Sequence, residues 1–192
     1  MTDAWHETRS THRSQQADSI ANSALSLIIQ HGAPGLTMAA IAKAADISRQ
    51  TLYRYYEDVD AVLVGVAELI ASHDEEFERL VAEQLNPTAR LDLMARAIAG
   101  SGHGPEQASA LHTVLPPQGR DVLAKHEARI HRLLAEVLRS GMDDGSFDNN
   151  LDPSADAPLI LGLLTAADPG NPERAVQLVH HLTANQPKEQ PQ

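Results

Sequence analysis

The stretch AAIAKAADISRQTLYRYYED, Ala39–Asp58, changes character half-way along. Ala39–Ala45 is small, apolar and helix-favouring. Arg49–Tyr56 then holds two arginines and all three tyrosines of the chain. Asp46-Ile47-Ser48 stands between them, with Asp46 suited to a turn and Ser48 to a helix N-cap. Thr37 bears the same capping relation to the alanine-rich half. The stretch therefore predicts two short helices, about Thr37–Ala44 and Ser48–Tyr55, joined by a three- to four-residue turn. Ile41, Ala45, Ile47 and Leu52 have the spacing to face inward. Arg49, Gln50, Thr51, Tyr53 and Arg54 then face outward. Arginine can hold guanine through two hydrogen bonds, and glutamine can hold adenine the same way. Threonine and tyrosine can donate to phosphate oxygens or touch a thymine methyl. On these residues alone, a DNA interface and an ordinary packed helix pair stand about level.

Working outward, a helix over Gln15–His31 carries an apolar stripe of Ile20, Ala24, Leu27 and Ile28, and Gly32 and Pro34 stop it. Together these make a three-helix helix-turn-helix unit. Asp58 then caps a long helix over Val59–Gln84, with Val62, Val66, Leu69, Ile70, His73, Phe77 and Leu80 along one face. Further helices follow over Thr88–Ala99, around Ala108–Leu115, and over Gly119–Ser140, Ser154–Ala167 and Pro172–Ala184. Alternating β-branched runs are missing. The expected fold is all-α, about nine helices in two parts. Residues 1–14 read as a flexible N-terminal arm, 15–57 as the helix-turn-helix domain, 58–185 as a helical ligand-binding and dimerisation domain, and 186–192 as a disordered tail.

The formal charge of the 192-residue chain is −11, and it is unevenly spread. Residues 1–57 balance five basic against five acidic side chains, so the whole excess lies beyond them. Such a total argues against a protein that coats nucleic acid or membrane indiscriminately. No apolar run has the roughly 18 residues of a membrane span, and the N-terminus has no signal-peptide pattern, so a cytoplasmic protein is expected. The chain has no cysteine, which excludes disulfides and thiolate sites. Ten histidines are present, but His180 and His181 are adjacent and His126 and His131 are five apart, which are poor spacings for a shared metal. No metal, no cofactor and no catalytic residue is expected, because no nucleophile elbow, phosphate loop or dinucleotide fingerprint occurs.

Leu36–Leu63, LTMAAIAKAADISRQTLYRYYEDVDAVL, preceded by the Ile20–Gly32 helix, resembles the N-terminal signature of the tetracycline-repressor (TetR) family, T-x-x-x-I-A-x-x-A-G-V-S-x-x-T-L-Y-x-Y-F-x-N-K-E. Thr37, Ile41, Ala42, Ala45, Ser48, Thr51, Leu52, Tyr53 and Tyr55 match it identically, and Ile47, Tyr56, Asp58 and Asp60 match in kind. The resemblance implies a DNA-reading segment, Ser48–Tyr55. Within it Arg49, Gln50 and Thr51 enter the major groove, and Tyr53 and Tyr55 contact phosphate or sugar, with some base contact from Tyr53; outward-facing Arg54 belongs to the same DNA-binding set. Thr37 and Ser48 sit at the two helix starts, Thr37 on a phosphate, and Tyr56 takes an inward aromatic position. Arg9 and Arg13 would add contacts from the arm. Three departures stand out. Asp46 replaces the turn glycine, Gln50 stands where a small residue is usual, and Val59 replaces a phosphate-binding lysine beside Glu57 and Asp58. They imply weaker non-specific affinity and a shallower salt dependence.

The same resemblance implies a homodimer through the last two helices. Leu159, Leu163 and Ala166 of one and Leu178, Val179 and Leu182 of the other are the expected interface residues. It also implies an effector pocket among the helices of Val59–Ser140, for which His73, Phe77, Met94, Ile98 and His126 are the candidates. With two phenylalanines in the chain, an aliphatic effector is easier to accommodate than a flat aromatic cation. Two functions follow from this reading. One is a ligand-responsive regulator, a repressor, whose dimer binds a palindromic operator in double-stranded DNA. The other is a dimeric helical small-molecule-binding protein with weak or lost DNA binding.

Overall fold

The computed structural model describes residues 3–32, 35–101, 104–168 and 170–185, with side chains from residue 13 onward except at 105 and 107. The chain forms ten helices among these residues. They are α1 (Asp3–His31), α2 (Met38–Ala44), α3 (Arg49–Leu52), α4 (Val59–Ala71), α5 (Asp74–Ala82), α6 (Pro87–Gly100), α7 (Pro105–Val114), α8 (Pro117–Asp143), α9 (Pro153–Thr165) and α10 (Pro172–Thr183). No strand occurs among the described residues; a single isolated antiparallel bridge joins Phe147 and Ala184. None of the described helices is long and apolar enough to cross a membrane.

Side-chain caps fix half of the described helix starts, because the first-turn N–H groups have no partner inside the helix. Thr37 Oγ1 accepts from the Ala40 N–H at 3.1 Å, Ser48 Oγ from Thr51 at 3.0 Å, and Asp58 Oδ1 from Ala61 at 2.8 Å. Asn86 does the same for α6, and Asp152 for α9, each followed by proline at the first helical position.

The structure departs from expectation at three places. The first helix begins at Asp3, so residues 3–14 extend α1 instead of forming a flexible arm; no glycine or proline interrupts the chain before Gly32. The side chain of Arg9 and the tail 186–192 lie outside the described residues. The second helix of the pair is one turn, Arg49–Leu52, and Tyr53–Tyr55 continue it only as a turn. The expected helix Val59–Gln84 is two helices. Ser72 breaks it by bonding back to the Leu69 carbonyl through both its N–H (3.3 Å) and its hydroxyl (2.7 Å). Asp74, Glu75 and Glu76 then open α5, where acidic groups complement the helix dipole.

Two compact units result, each built from separated segments. The first comprises Met1–His73 and Glu106–His126, the second Asp74–Pro105 and Glu127–Gln192. In the first, Ile20, Ile28, Ile41, Leu52, Val62 and Val66 are fully buried, joined by Leu111, Leu115 and Leu123. Each such side chain contributes roughly 1.5–3 kcal/mol of transfer free energy. In the second, Leu91, Met94, Leu134, Leu138, Phe147 and Leu164 form the core. Phe147 lies flat on α8 where Gly141 leaves room, and a Cβ there would stand 2.0 Å from its Cδ2. Across the second unit, Arg129 of α8 holds Glu78 of α5 in a two-pronged pair, with Nη2 2.7 Å from Oε2. That pair holds the Glu78 carboxyl below its usual range.

Candidate nucleic-acid interface

The α2–α3 turn depends on one residue in an uncommon conformation. Asp46 has φ of +51°, the left-handed region, and it is the one non-glycine residue there among the described residues. Aspartate enters that region more readily than most side chains, which is how the chain makes this turn without glycine. Around it, the Asp46 N–H bonds the Lys43 carbonyl and the Ile47 N–H bonds that of Ala42. Ile41 and Leu52 are buried on either side, so the two helices share one core and their outer faces are fixed relative to each other.

Those outer faces carry the expected DNA residues. Arg49, Gln50, Tyr53 and Arg54 are exposed, Tyr53 by 55%. Among the described residues neither Arg49 nor Arg54 is engaged in an ion pair. Both guanidinium forks are therefore available to phosphate or base edges. Thr51 is half-buried, and its hydroxyl lies 2.8 Å from Ser48 Oγ, so these two act first as a cap. Thr37 is exposed and uses its oxygen as an acceptor, which leaves its hydroxyl hydrogen for an outside acceptor. Tyr55 is half-buried against the first core. Lys43, exposed in the last turn of α2, is a cation beside the turn that the sequence reading left out. Its outward register between buried Ile41 and Ala42 and half-buried Ala45 was the available signal.

Tyr56 is held from three sides. Its hydroxyl donates to the Ala17 carbonyl of α1 at 3.3 Å, its ring lies over Gly65 of α4, and its own N–H bonds the Leu52 carbonyl of α3. Burial, then the nearby Asp18 and Glu68 carboxylates, push its hydroxyl pKa up. The segment Ser48–Tyr55 is thus pinned to α1 and α4 by one aromatic residue. At the start of α4, the position expected to lack the lysine does lack it. Val59 is half-buried, and the Asp58 carboxylate occupies the first-turn amide.

Residues 20–65 match the sequence model of the family described as bacterial regulatory proteins, tetR family. Over those residues the chain is similar to the TetR family. The TetR match begins at buried Ile20 and ends at Gly65, so it encloses the turn, the reading segment and the Tyr56–Gly65 contact. Among curated proteins, none matches the chain. Solved structures share the fold over nearly the whole length. Reduced NemR of E. coli is 18% identical, with 90% of this chain and 100% of that one covered and a TM-score of 0.72. AibR in complex with isovaleryl coenzyme A and operator DNA is 20% identical, with 88% and 98% covered and a TM-score of 0.70. The transcriptional regulator FadR from Bacillus subtilis, in complex with stearoyl-CoA, is 16% identical, with 85% and 97% covered and a TM-score of 0.64.

The other expected sites are placed as follows. Leu159, Leu178 and Leu182 are exposed by 71%, 42% and 53%, with exposed Gly162 and Ala166 beside Leu159 on α9. Leu163 is half-buried against the second core. Val179 is fully buried in that core, because the inward face of α10 is Ala175, Val176, Val179 and Thr183; it leaves the interface set. Of the pocket candidates, Met94 is fully buried in the second core, and Phe77 and Ile98 pack against it. His73 is exposed and stands with half-buried His126 in the first unit, so the five do not fall within one unit. Among the described residues, no group of three or more His, Asp or Glu side chains is placed to hold a metal ion.

Proposed function

We propose that this protein is a ligand-responsive transcriptional repressor that binds a palindromic operator as a homodimer. The observation that carries the proposal is the unpaired, exposed row Arg49, Gln50, Tyr53 and Arg54 on α3 and the turn that continues it, with the helix start, the preceding turn and the packing all fixed. Such a row suits base reading by Arg49 and Gln50, with Tyr53, Arg54, Thr37 and Lys43 on phosphates. The exposed leucines of α9 and α10 support a second copy as partner, since a contiguous exposed apolar face marks an interaction site. A twofold dimer would present two reading segments to two half-sites. The second core is mostly aliphatic, which favours an aliphatic acyl effector over an aromatic one, and two structures of this fold hold stearoyl-CoA and isovaleryl coenzyme A. The effector would act by binding one conformation of the dimer more tightly than the other.

A second reading, a dimeric effector-binding protein with weak DNA binding, is favoured by one observation. The Asp58 carboxylate fills the α4 first-turn amide, and Glu57 and Asp60 flank it. Fluorescence anisotropy with the duplex upstream of the protein's own gene, against a scrambled duplex at several salt concentrations, separates the two. Binding that resists scrambled competitor supports the repressor. Equal, salt-erased binding to both duplexes supports the second reading.

A further inference from the structure

The element that carries Arg49 and Gln50 is too short to hold its own place. α3 is a single turn of four residues, far below the roughly 12–15 at which an isolated helix becomes even marginal. Its start is set by the Ser48 cap, and its inward side by buried Leu52. Its far end is set by Tyr56. There the N–H bonds the Leu52 carbonyl at 3.0 Å, the ring lies over Gly65 of α4, and the hydroxyl donates to the Ala17 carbonyl of α1 at 3.3 Å. A helix carbonyl keeps a second lone pair for such a bond. Ala17 precedes residues 20–65, so this bond joins the segment that matches the family model to a residue outside it.

Ring and hydroxyl do different things. Apolar packing over Gly65 is non-directional, and phenylalanine would keep it. The hydroxyl bond is directional, and it fixes how far the ring and its backbone slide along α1. α1 also packs against α2, which carries Lys43 and is capped by Thr37. Phosphate contacts set a protein's register on a duplex, and base edges are read in that register. We infer that Tyr56 is a positioning residue for DNA choice. Through its hydroxyl it holds Arg49 and Gln50 in a fixed relation to Thr37 and Lys43. It thereby sets discrimination between operator and other DNA, not affinity for DNA as such. This role rests on the operator-binding reading proposed above.

The test compares the unaltered protein with Y56F, G65A and I28V. Anisotropy is read with a duplex that the unaltered protein selects from a random-sequence pool, and with a scrambled version of it, at a temperature where circular dichroism shows each chain folded. Y56F is expected to lower the ratio of the two affinities by about three- to tenfold, the worth of one hydrogen bond, with scrambled duplex bound as before. G65A, whose Cβ would stand 2.5 Å from Tyr56 Oη, should lower the same ratio with the hydroxyl still present. I28V thins the same core away from Tyr56 and should leave the ratio alone. Amide exchange in the free chains reads the fastening without DNA. In Y56F the Tyr53, Arg54 and Tyr55 amides should exchange several-fold faster, with those of Ile41 and Ala45 unchanged. Where the unaltered protein prefers the selected duplex, an unchanged ratio in Y56F, or a ratio that falls as far in I28V, overturns the positioning role and leaves the operator reading intact. If selection yields no preferred duplex, the operator reading falls; faster exchange confined to Tyr53–Tyr55 in Y56F then upholds the fastening, and exchange that is unchanged or uniformly faster overturns it as well.

Discussion

The ring of Tyr56 occupies the space that a side chain on Gly65 would take: a Cβ at position 65 would stand 2.5 Å from its Oη and 2.7 Å from its Cε1. Glycine inside a helix ordinarily costs up to about 1 kcal/mol against alanine. Here the sign reverses, because Tyr56 is anchored on the Ala17 carbonyl and cannot yield without losing that bond and its packing. Gly65→Ala is expected to destabilise the first unit by about 1–3 kcal/mol in urea unfolding. A gain in stability would show that Tyr56 is free to move aside.

The same tyrosine gives the protein an alkaline limit. Its hydroxyl pKa lies above the ordinary 10.0 in the folded chain, because burial and the Asp18 and Glu68 carboxylates oppose the phenolate. The folded state therefore holds this proton more tightly than the unfolded one. Its contribution is constant below pH 10 and is lost as pH rises through the folded value. Stability measured between about pH 9 and 11 should fall less steeply in Tyr56→Phe than in the unaltered chain. Parallel slopes would locate the alkaline sensitivity elsewhere.

Asp46 carries two separable costs. A left-handed backbone is unfavourable for a side chain, and a carboxylate beside a DNA-binding turn repels phosphate. Asp46→Gly should raise stability by about 0.5–1 kcal/mol. It should also strengthen binding to scrambled duplex and to operator about equally, since the removed charge carries no base information. Asp46→Asn keeps the tolerance for this backbone and removes the charge. It should change DNA affinity with little change in melting temperature.

Arg49 is exposed and unpaired, so its loss should not disturb folding. Arg49→Ala is expected to leave the melting temperature within a degree or so. It should weaken operator binding by about 1–3 kcal/mol and flatten the preference at one base position. For Lys43→Ala a smaller, sequence-independent loss is expected, with a salt slope reduced by about one. If Arg49→Ala left the operator isotherm unchanged, the reading row would be misassigned.

Much of the helix-turn-helix geometry was readable because its signals are local. Thr37, Ser48 and Asp58 each cap the helix that follows three residues ahead, and Asp46 sits where the turn requires its backbone. The division of α4 from α5 was not readable, since neither glycine nor proline marks it; Ser72 ends α4 through a bond to its own preceding turn. Periodicity on α10 was misjudged by the pair Leu178-Val179. Of that pair only Val179 faces inward, and Thr183, whose hydroxyl is satisfied by the Val179 carbonyl, takes an inward place that hydropathy would assign to Leu182. Nor does any local pattern tell that Leu111, Leu115 and Leu123 complete the core around Ile41 and Leu52, because that is a matter of long-range packing.

That last arrangement has a consequence for the order of biosynthesis. The helix-turn-helix emerges early, yet three leucines of its core arrive only after His73, with Glu106–His126. At about 5–20 residues per second, the nascent head waits several seconds, partly hydrophobic and incompletely closed, for the segment that seals it. The reading head is thus finished late, after the first stretch of the second unit has already been made, and a ribosome stalled between His73 and Glu106 would hold out a head that has its arginines but not its full core.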